Sequence, residues 1–290
     1  MNLFSGLEKF GLKSVESMQL FEEEQKDTGR RNGGNTKMEE NVHTEEEFLL
    51  DKTVRCNVCE YVFKTKMVKN GRVRRLSPDK DLRPRFQFID TLKYNTTSCP
   101  QCGYTALNRF FDQITSVQRR FIREQICSQF HPAATEEEAA ATYSYDMAID
   151  RYKLALANTV VKRGKASEKA YTCLNLAWLL REKAASMPEG KPEEKAAKLQ
   201  CLKEAEAFYE QAFEGFSKAI SQEMFPMCGM DQSTVDYLLA YMAFHFKKYE
   251  IASKFLGSVM TSSSASRRLK DMAYELKESI IAQLRKPGAK

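Results

Sequence analysis

"VRCNVCEYVF", Val54 to Phe63, is answered further along the chain by "SCPQCGYTAL", Ser98 to Leu107. Each stretch holds a Cys-x-x-Cys pair, Cys56 with Cys59 and Cys99 with Cys102, and 39 residues lie between the pairs. Two residues between thiols let a tight turn aim both sulfurs inward while backbone N–H groups point at them. Two such knuckles supply four thiolates, the closed tetrahedral set that zinc takes in structural sites. Gly103 directly follows Cys102, as such a turn favours, whereas Glu60 holds the equivalent place after Cys59. Tyr61 and Tyr104 come one step further on and are expected to pack around the sulfurs. One structural Zn2+ is therefore expected on Cys56, Cys59, Cys99 and Cys102, with no position left for water. Iron, alone or in a cluster, takes the same ligands and stays open as an occupant. Thiol–disulfide chemistry needs a pair at a strand-to-helix junction, and neither pair here opens an amphipathic helix directly.

The rest of the composition narrows the compartment. The chain has 290 residues, of which 42% are hydrophobic and 29% charged, enough apolar content for one large or two modest cores. No apolar run approaches the ~18–20 residues of a membrane span; "YLLAYMAFHF", Tyr237 to Phe246, is too short and holds a His. The N-terminal "MNLFSGLEKFGLK" has no basic segment followed by an apolar block. A cytoplasmic protein without a membrane partner is expected. There, a disulfide framework is not, because reducing compartments keep thiols reduced. Cys127, Cys173, Cys201 and Cys228 fall in helix-like sequence and read as small buried hydrophobes. His43, His131 and His245 read as surface or packed residues rather than ligands.

Four regions follow along the chain. Residues 1–25 carry a short amphipathic pattern, and 26–43 ("KDTGRRNGGNTKMEENVH") a linker composition. Residues 44–114 form the metal module. Thr44 and Glu47 make a capping-box pattern; "DKTVRC", "YVFKTKMV" and "LKYNTTSC" read as short strands; Pro78 and Pro84 mark a loop or sheet edge. From 115 to 290 the period turns helical, with a cap at Ser116. Apolar stripes run through Val117–Phe130, Ile149–Val160, Cys173–Ala184, Val235–Phe246, Ala252–Val259 and Leu269–Ile280, and a long helix is entered at Pro192. The fold class is α+β, mostly α: a small β-rich, zinc-ribbon-like module followed by an antiparallel helical array. Thirty-nine residues of short strands bury too little to hold themselves together. Metal removal, or Cys99→Ala, is expected to melt residues 50–108 and spare most helicity.

Charge is unevenly spread. From Lys52 to Arg123 there are sixteen Lys and Arg against five Asp and Glu, a balance of +11 in a chain whose total is +6, so the remainder is acidic by five. Lys64, Lys66, Arg72, Arg74, Arg75, Arg83 and Arg85 crowd between the knuckles, with Lys69 beside them, and are expected to face one surface. Two readings suit them. They form a basic loop that docks on the acidic helical half or a protein partner, or they contact phosphates, with Phe86, Phe88 and Tyr94 to stack bases.

"DYLLAYMAFHFKKYEIASKFLGSVM", Asp236 to Met260, has the logic of a tetratricopeptide unit: small Ala residues at a helix crossing, a "KKYE" turn, then Tyr249, Ala252 and Leu256. "YSYDMAIDRYKLALANTV" and "AYTCLNLAWLLREKA" repeat parts of it, without a regular period; an unrelated helical bundle is the alternative. Taken in order, "CNVCEYVFKTKMV", "DLRPRFQFIDTLKY", "SCPQCGYTALNRFFDQIT" and "LNLAWLLRE" resemble the bacterial domain-of-unknown-function 2225 family from about Asp51 to the end. The N-terminal "MNLFSGLEKFGL" is similar to that of relatives in anaerobic Gram-positive bacteria. The resemblance implies a cytoplasmic protein joining a zinc site, with the four cysteines as ligands, to tetratricopeptide-like helices; it carries no reaction. A non-enzymatic scaffold or adaptor that binds protein or peptide is the expectation, and a nucleic-acid-associated regulator the alternative. No Ser/His/Asp set, phosphate loop or open metal site is present to support an enzyme.

Overall fold

The computed structural model describes residues 44–131 and 140–285, together with Lys9 and Gly11. The amphipathic N-terminal pattern, apart from those two residues, and the 26–43 linker lie outside the described residues. So does His43.

The described chain enters through a 3-10 turn, Glu45–Phe48, with the expected capping box at its start, where the Thr44 N–H donates to Glu47 Oε1 at 3.1 Å. Two antiparallel hairpins follow. β1 (Leu49–Arg55) pairs with β2 (Val62–Val68) in a register that sets Val54 opposite Phe63. β3 (Thr96–Ser98) pairs with β4 (Thr105–Leu107), Thr97 opposite Ala106. The strand expected across the eight residues "LKYNTTSC" is three residues long. Asp90 accepts the Leu92 N–H at 3.1 Å and caps a 3-10 turn, Thr91–Tyr94, so the chain coils before it extends. Between the hairpins, residues 69–90 make only one isolated bridge, Arg75 to Phe86, as the two prolines require.

The helical part begins at α1 (Ser116–Ile122). Thr115, not Ser116, is its N-cap: the Thr115 hydroxyl accepts the Gln118 N–H while Gln118 reaches back to the Thr115 N–H. α1 runs directly into a π turn, Arg123–Cys127. Then come α2 (Tyr145–Val161), α3 (Ala166–Ser186), α4 (Pro192–Gln222), α5 (Gln232–His245), α6 (Tyr249–Thr261) and α7 (Arg267–Leu284). Pro192 occupies the first turn of α4, where its missing N–H has no partner to lose. The connections are mostly three to five residues, as antiparallel neighbours need, and each of α2 to α7 packs on the next. α7 also reaches back to α5. Ala240 and Ala243 of α5 and Ala252 of α6 are fully buried, which brings those backbones close. The result is mostly helical, an α+β chain with its strands gathered around the cysteines.

Two features position the site. The main hydrophobic core is shared: Cys56, Val58, Phe63, Tyr104 and Phe111 belong to the same buried cluster as α1 to α7, and a smaller second cluster gathers Phe48, Leu49, Ile89, Tyr94 and Tyr143. The residues between the hairpins also lie on the array. Asp81 accepts from Trp178 Nε1 at 2.8 Å and pairs with Arg181, both on α3, and the Tyr237 hydroxyl of α5 donates to the Lys80 carbonyl at 2.9 Å. Arg83 and Arg85 both pair with Glu182 of α3. Burial works against the charge of Glu182, but the Arg83 and Arg85 guanidiniums outweigh it and hold its pKa below the ordinary carboxylate value.

Candidate metal centre

Each hairpin turns at a knuckle, and the two knuckles are built the same way. In the first, the Cys56 N–H donates to the Tyr61 carbonyl and the Glu60 N–H to the Cys56 carbonyl, both at 2.9 Å. In the second, the Cys99 N–H donates to the Tyr104 carbonyl at 2.9 Å and the Gly103 N–H to the Cys99 carbonyl at 3.0 Å. The residue after the second cysteine must then turn left-handed: φ is +67° at Glu60 and +73° at Gly103. Gly103 is required for a further reason, since a Cβ there would meet the Phe130 ring at 2.4 Å. Glu60 has the backbone of a glycine without being one, with its carboxylate 2.6 Å from Arg55 at the surface.

This places four sulfurs together. Cys56 Sγ lies 3.7 Å from Cys102 Sγ and Cys59 Sγ 3.6 Å from Cys99 Sγ, and all four lie within 4.8 Å of one another. A tetrahedral zinc with sulfurs at about 2.3 Å sets them about 3.8 Å apart, so the donor set fits that ion. Four neighbouring thiols cannot all ionise without a cation. The Cys56 thiol is pulled down to about 2, chiefly by hydrogen bonds from Cys102 and Cys99, while Cys102 is pushed far above the ordinary thiol range by its hydrogen bonds to Cys127 and Cys56. A bound dication would let every sulfur carry its negative charge.

The helices hold the backbone of both knuckles. From the π turn, Arg123 donates twice to the Val58 carbonyl, at 3.1 and 2.6 Å. From α2, Asn158 Nδ2 donates to the Gly103 carbonyl at 3.0 Å. Tyr104 is fully buried, its hydroxyl on the Phe111 carbonyl at 2.9 Å. Tyr61 does not pack around the sulfurs as expected; it is exposed and stacks on Phe63. The sequence reading also missed Cys127. It ends the π turn, packed partly buried against the core, and interaction with the Cys102 thiol lowers its own thiol pKa. The wider i→i+5 turn sets both Arg123 and Cys127 toward the knuckles.

The family model described as "Uncharacterized protein conserved in bacteria (DUF2225)" matches residues 49–280, most of the chain and every part of this centre. The chain belongs to the DUF2225 family. No curated protein and no solved structure matches it.

In this DUF2225 chain the basic residues between the knuckles divide. Lys64, Arg72, Arg74 and Arg75 are exposed. Lys66 pairs with Asp51 at 2.9 Å, and Arg85 with Asp79 at 2.9 Å as well as with Glu182. Arg83 is only 3% exposed, bound to Asp90 at 2.7 Å and to Glu182. The expectation that all seven face one surface is thus corrected for Arg83, which desolvation permits only because two carboxylates meet it. The remaining cysteines are free thiols: Cys173 is buried, Cys201 donates to the Leu180 carbonyl at 3.2 Å, and Cys228 donates to the Ser167 carbonyl at 3.3 Å. His131 bonds to the Gln129 carbonyl and His245 to Glu206, so neither joins the sulfurs.

Proposed function

We propose that this DUF2225 protein is a non-enzymatic scaffold. One structural zinc ion closes a ribbon-like pair of hairpins, and the closed module is mounted on a tetratricopeptide-like array that binds a protein or peptide in the cytoplasm. The observation that carries the reading is the set of four sulfurs within 4.8 Å of one another, the number that completes a tetrahedral structural site. The binding role is supported by the chain's own use of its helices. α3 and α5 hold the charged segment from Lys80 to Arg85, through Trp178, Arg181, Glu182 and Tyr237. Faces of helical repeats are suited to such segments.

The test joins metal analysis to partner capture. One zinc per chain is expected in the purified protein, with little iron. Captured partners should survive nuclease treatment and be lost from Cys99→Ala. The nucleic-acid reading keeps one observation in its favour, the exposed set Lys64, Arg72, Arg74 and Arg75. If it holds, binding to random-sequence nucleic acid falls steeply with salt, with a logarithmic slope of about −0.7 to −0.9 per phosphate contacted. A flat response, or no binding, removes it.

A further inference from the structure

The first hairpin leaves one of its edges open. At its two ends the Cys56 N–H donates to the Tyr61 carbonyl at 2.9 Å and the Lys69 N–H to the Phe48 carbonyl at 2.8 Å, which sets the phase of the ladder between them. Antiparallel pairs alternate between those that exchange hydrogen bonds and those that do not. Leu50, Lys52 and Val54 therefore direct their N–H and C=O groups at β2, and Asp51, Thr53 and Arg55 turn theirs outward. Among the described residues those outward groups have no partner.

The outer edge of β2 is covered, since the Lys66 N–H donates to the buried Tyr143 hydroxyl at 3.2 Å. β1 has no such cover. Leu50 to Thr53 and Arg55 are exposed, the strand holds no proline, and its register with β2 runs from Leu49 to Arg55 without a bulge. Edges are usually blunted by one of these devices, because an open one is a template for a further strand.

The residues of β1 say which strand fits. Asp51 and Arg55 stand two positions either side of Thr53, on one face of the hairpin. When two copies of β1 pair antiparallel about Thr53, Asp51 lies opposite Arg55 of the second copy, and Arg55 opposite its Asp51. These are the residues whose backbone groups point outward, so hydrogen bonds and charges agree on a single register. Thr53 meets Thr53 on the two-fold axis, a favourable cross-strand pair, and Lys52 meets Val54 rather than a cation. A parallel pairing with the same residues level would set Asp51 against Asp51 and Arg55 against Arg55. Asp51 Oδ1 already holds Lys66 at 2.9 Å and Arg55 holds Glu60 at 2.6 Å. Each keeps an oxygen or an N–H for the second copy, so the charges along this face alternate in sign.

We propose that this edge joins two copies of the chain, β1 to β1, into one four-stranded antiparallel sheet with its two-fold axis at Thr53. About six main-chain hydrogen bonds form across the join. The contact is short beside the ~1,200–2,000 Å² of a stable interface, so the dimer is reversible and depends on concentration. The surface lies on the hairpin, away from the helical faces, and does not rest on the scaffold reading.

The test is sedimentation of the full-length, zinc-loaded protein from about 1 to 500 μM, with hydrogen exchange at both ends of the range. The protein is expected to pass from monomer towards dimer, and the amides of Asp51, Thr53 and Arg55 to gain at least about tenfold protection as it does. Thr53→Pro removes an outward N–H that β2 does not use, and should abolish the dimer with zinc content and far-UV circular dichroism unchanged. Asp51→Arg and Arg55→Asp each set like charges against one another and should stay monomeric alone. Mixed in equal amounts, the two variants should form a heterodimer. If Thr53→Pro loses its zinc, the charge variants decide. The proposal is overturned if the protein is monomeric throughout, or if the dimer survives Thr53→Pro or either charge variant with zinc in place. It is also overturned if the two charge variants do not associate, or if exchange at Thr53 does not vary with concentration. Zinc content and partner capture are read separately, so the scaffold reading stands or falls independently.

Discussion

The two knuckles have the same backbone, but their second cysteines and the residues after them have opposite surroundings. Cys99, Cys102, Gly103 and Tyr104 are buried against the helices, whereas Cys59, Glu60 and Tyr61 face solvent. Both turns need a left-handed residue, yet only one has glycine. The difference teaches that the turn itself is set by the sulfurs and their hydrogen bonds, while the demand for glycine comes from packing. At Gly103 a side chain collides with Phe130; at Glu60 it projects into water. The helices hold both turns but cover the second knuckle closely and leave the Cys59 corner of the first open to solvent.

Removing a sulfur tests this most severely. Structural zinc contributes about 10–16 kcal/mol to the folding of small modules. Cys99→Ala removes a sulfur from the buried corner, and the protein is expected to lose its metal and both hairpins. Because the core is shared, protection from hydrogen exchange should also fall in α1 and α2, which widens the 50–108 region expected from sequence. Cys59→Ala opens the exposed corner instead; water can take the vacant position, and the variant should keep a weakened metal site and most of its fold in excess zinc. Equal outcomes in metal analysis and exchange would break the comparison.

Gly103→Ala comes next. Its left-handed backbone and the Phe130 contact should together cost about 2–4 kcal/mol, read as a lowered denaturation midpoint of the zinc-loaded protein. Cys127→Ala removes the thiol that interacts with Cys102, and competition with a chelating dye should report about 10–100-fold weaker metal binding, the usual effect of losing a group that supports a ligand. The smallest effect belongs to the exposed knuckle. Glu60→Gly relieves a left-handed side chain but frees the unfolded chain and gives up an exposed ion pair, so the net change should be a stabilisation within about 1 kcal/mol. A large loss there would mean that Glu60 contributes more than its backbone.

Much of this centre was legible from spacing. Cys-x-x-Cys is a local signal, and two copies fix the four sulfurs because each turn admits little else. The helical stripes were legible for a similar reason: Cys173, Ala177, Leu180 and Ala184 recur at the helical period and are all buried. Long-range partners were hidden. Nothing near Arg83 in sequence tells that Glu182 waits on α3, so a residue read as part of a basic surface proves to be buried. Cys127 was hidden by its helix, because the π turn that brings it to Cys102 leaves no mark in an apolar period. The strand assigned to "LKYNTTSC" failed at its start, where Asp90 caps a turn two residues on, a side-chain bond that overrides the β-branched run after it.

The main core, shared between strands and helices, has a practical corollary for anyone cutting this chain. A boundary drawn at residue 114 looks natural on paper, yet it severs Tyr104 and Phe111 from the helices that cover them and strips Gly103 of Asn158. The fragment from 115 onward would carry a greasy, unfilled face into solution and the fragment before it a cage without walls, so each piece is expected to aggregate.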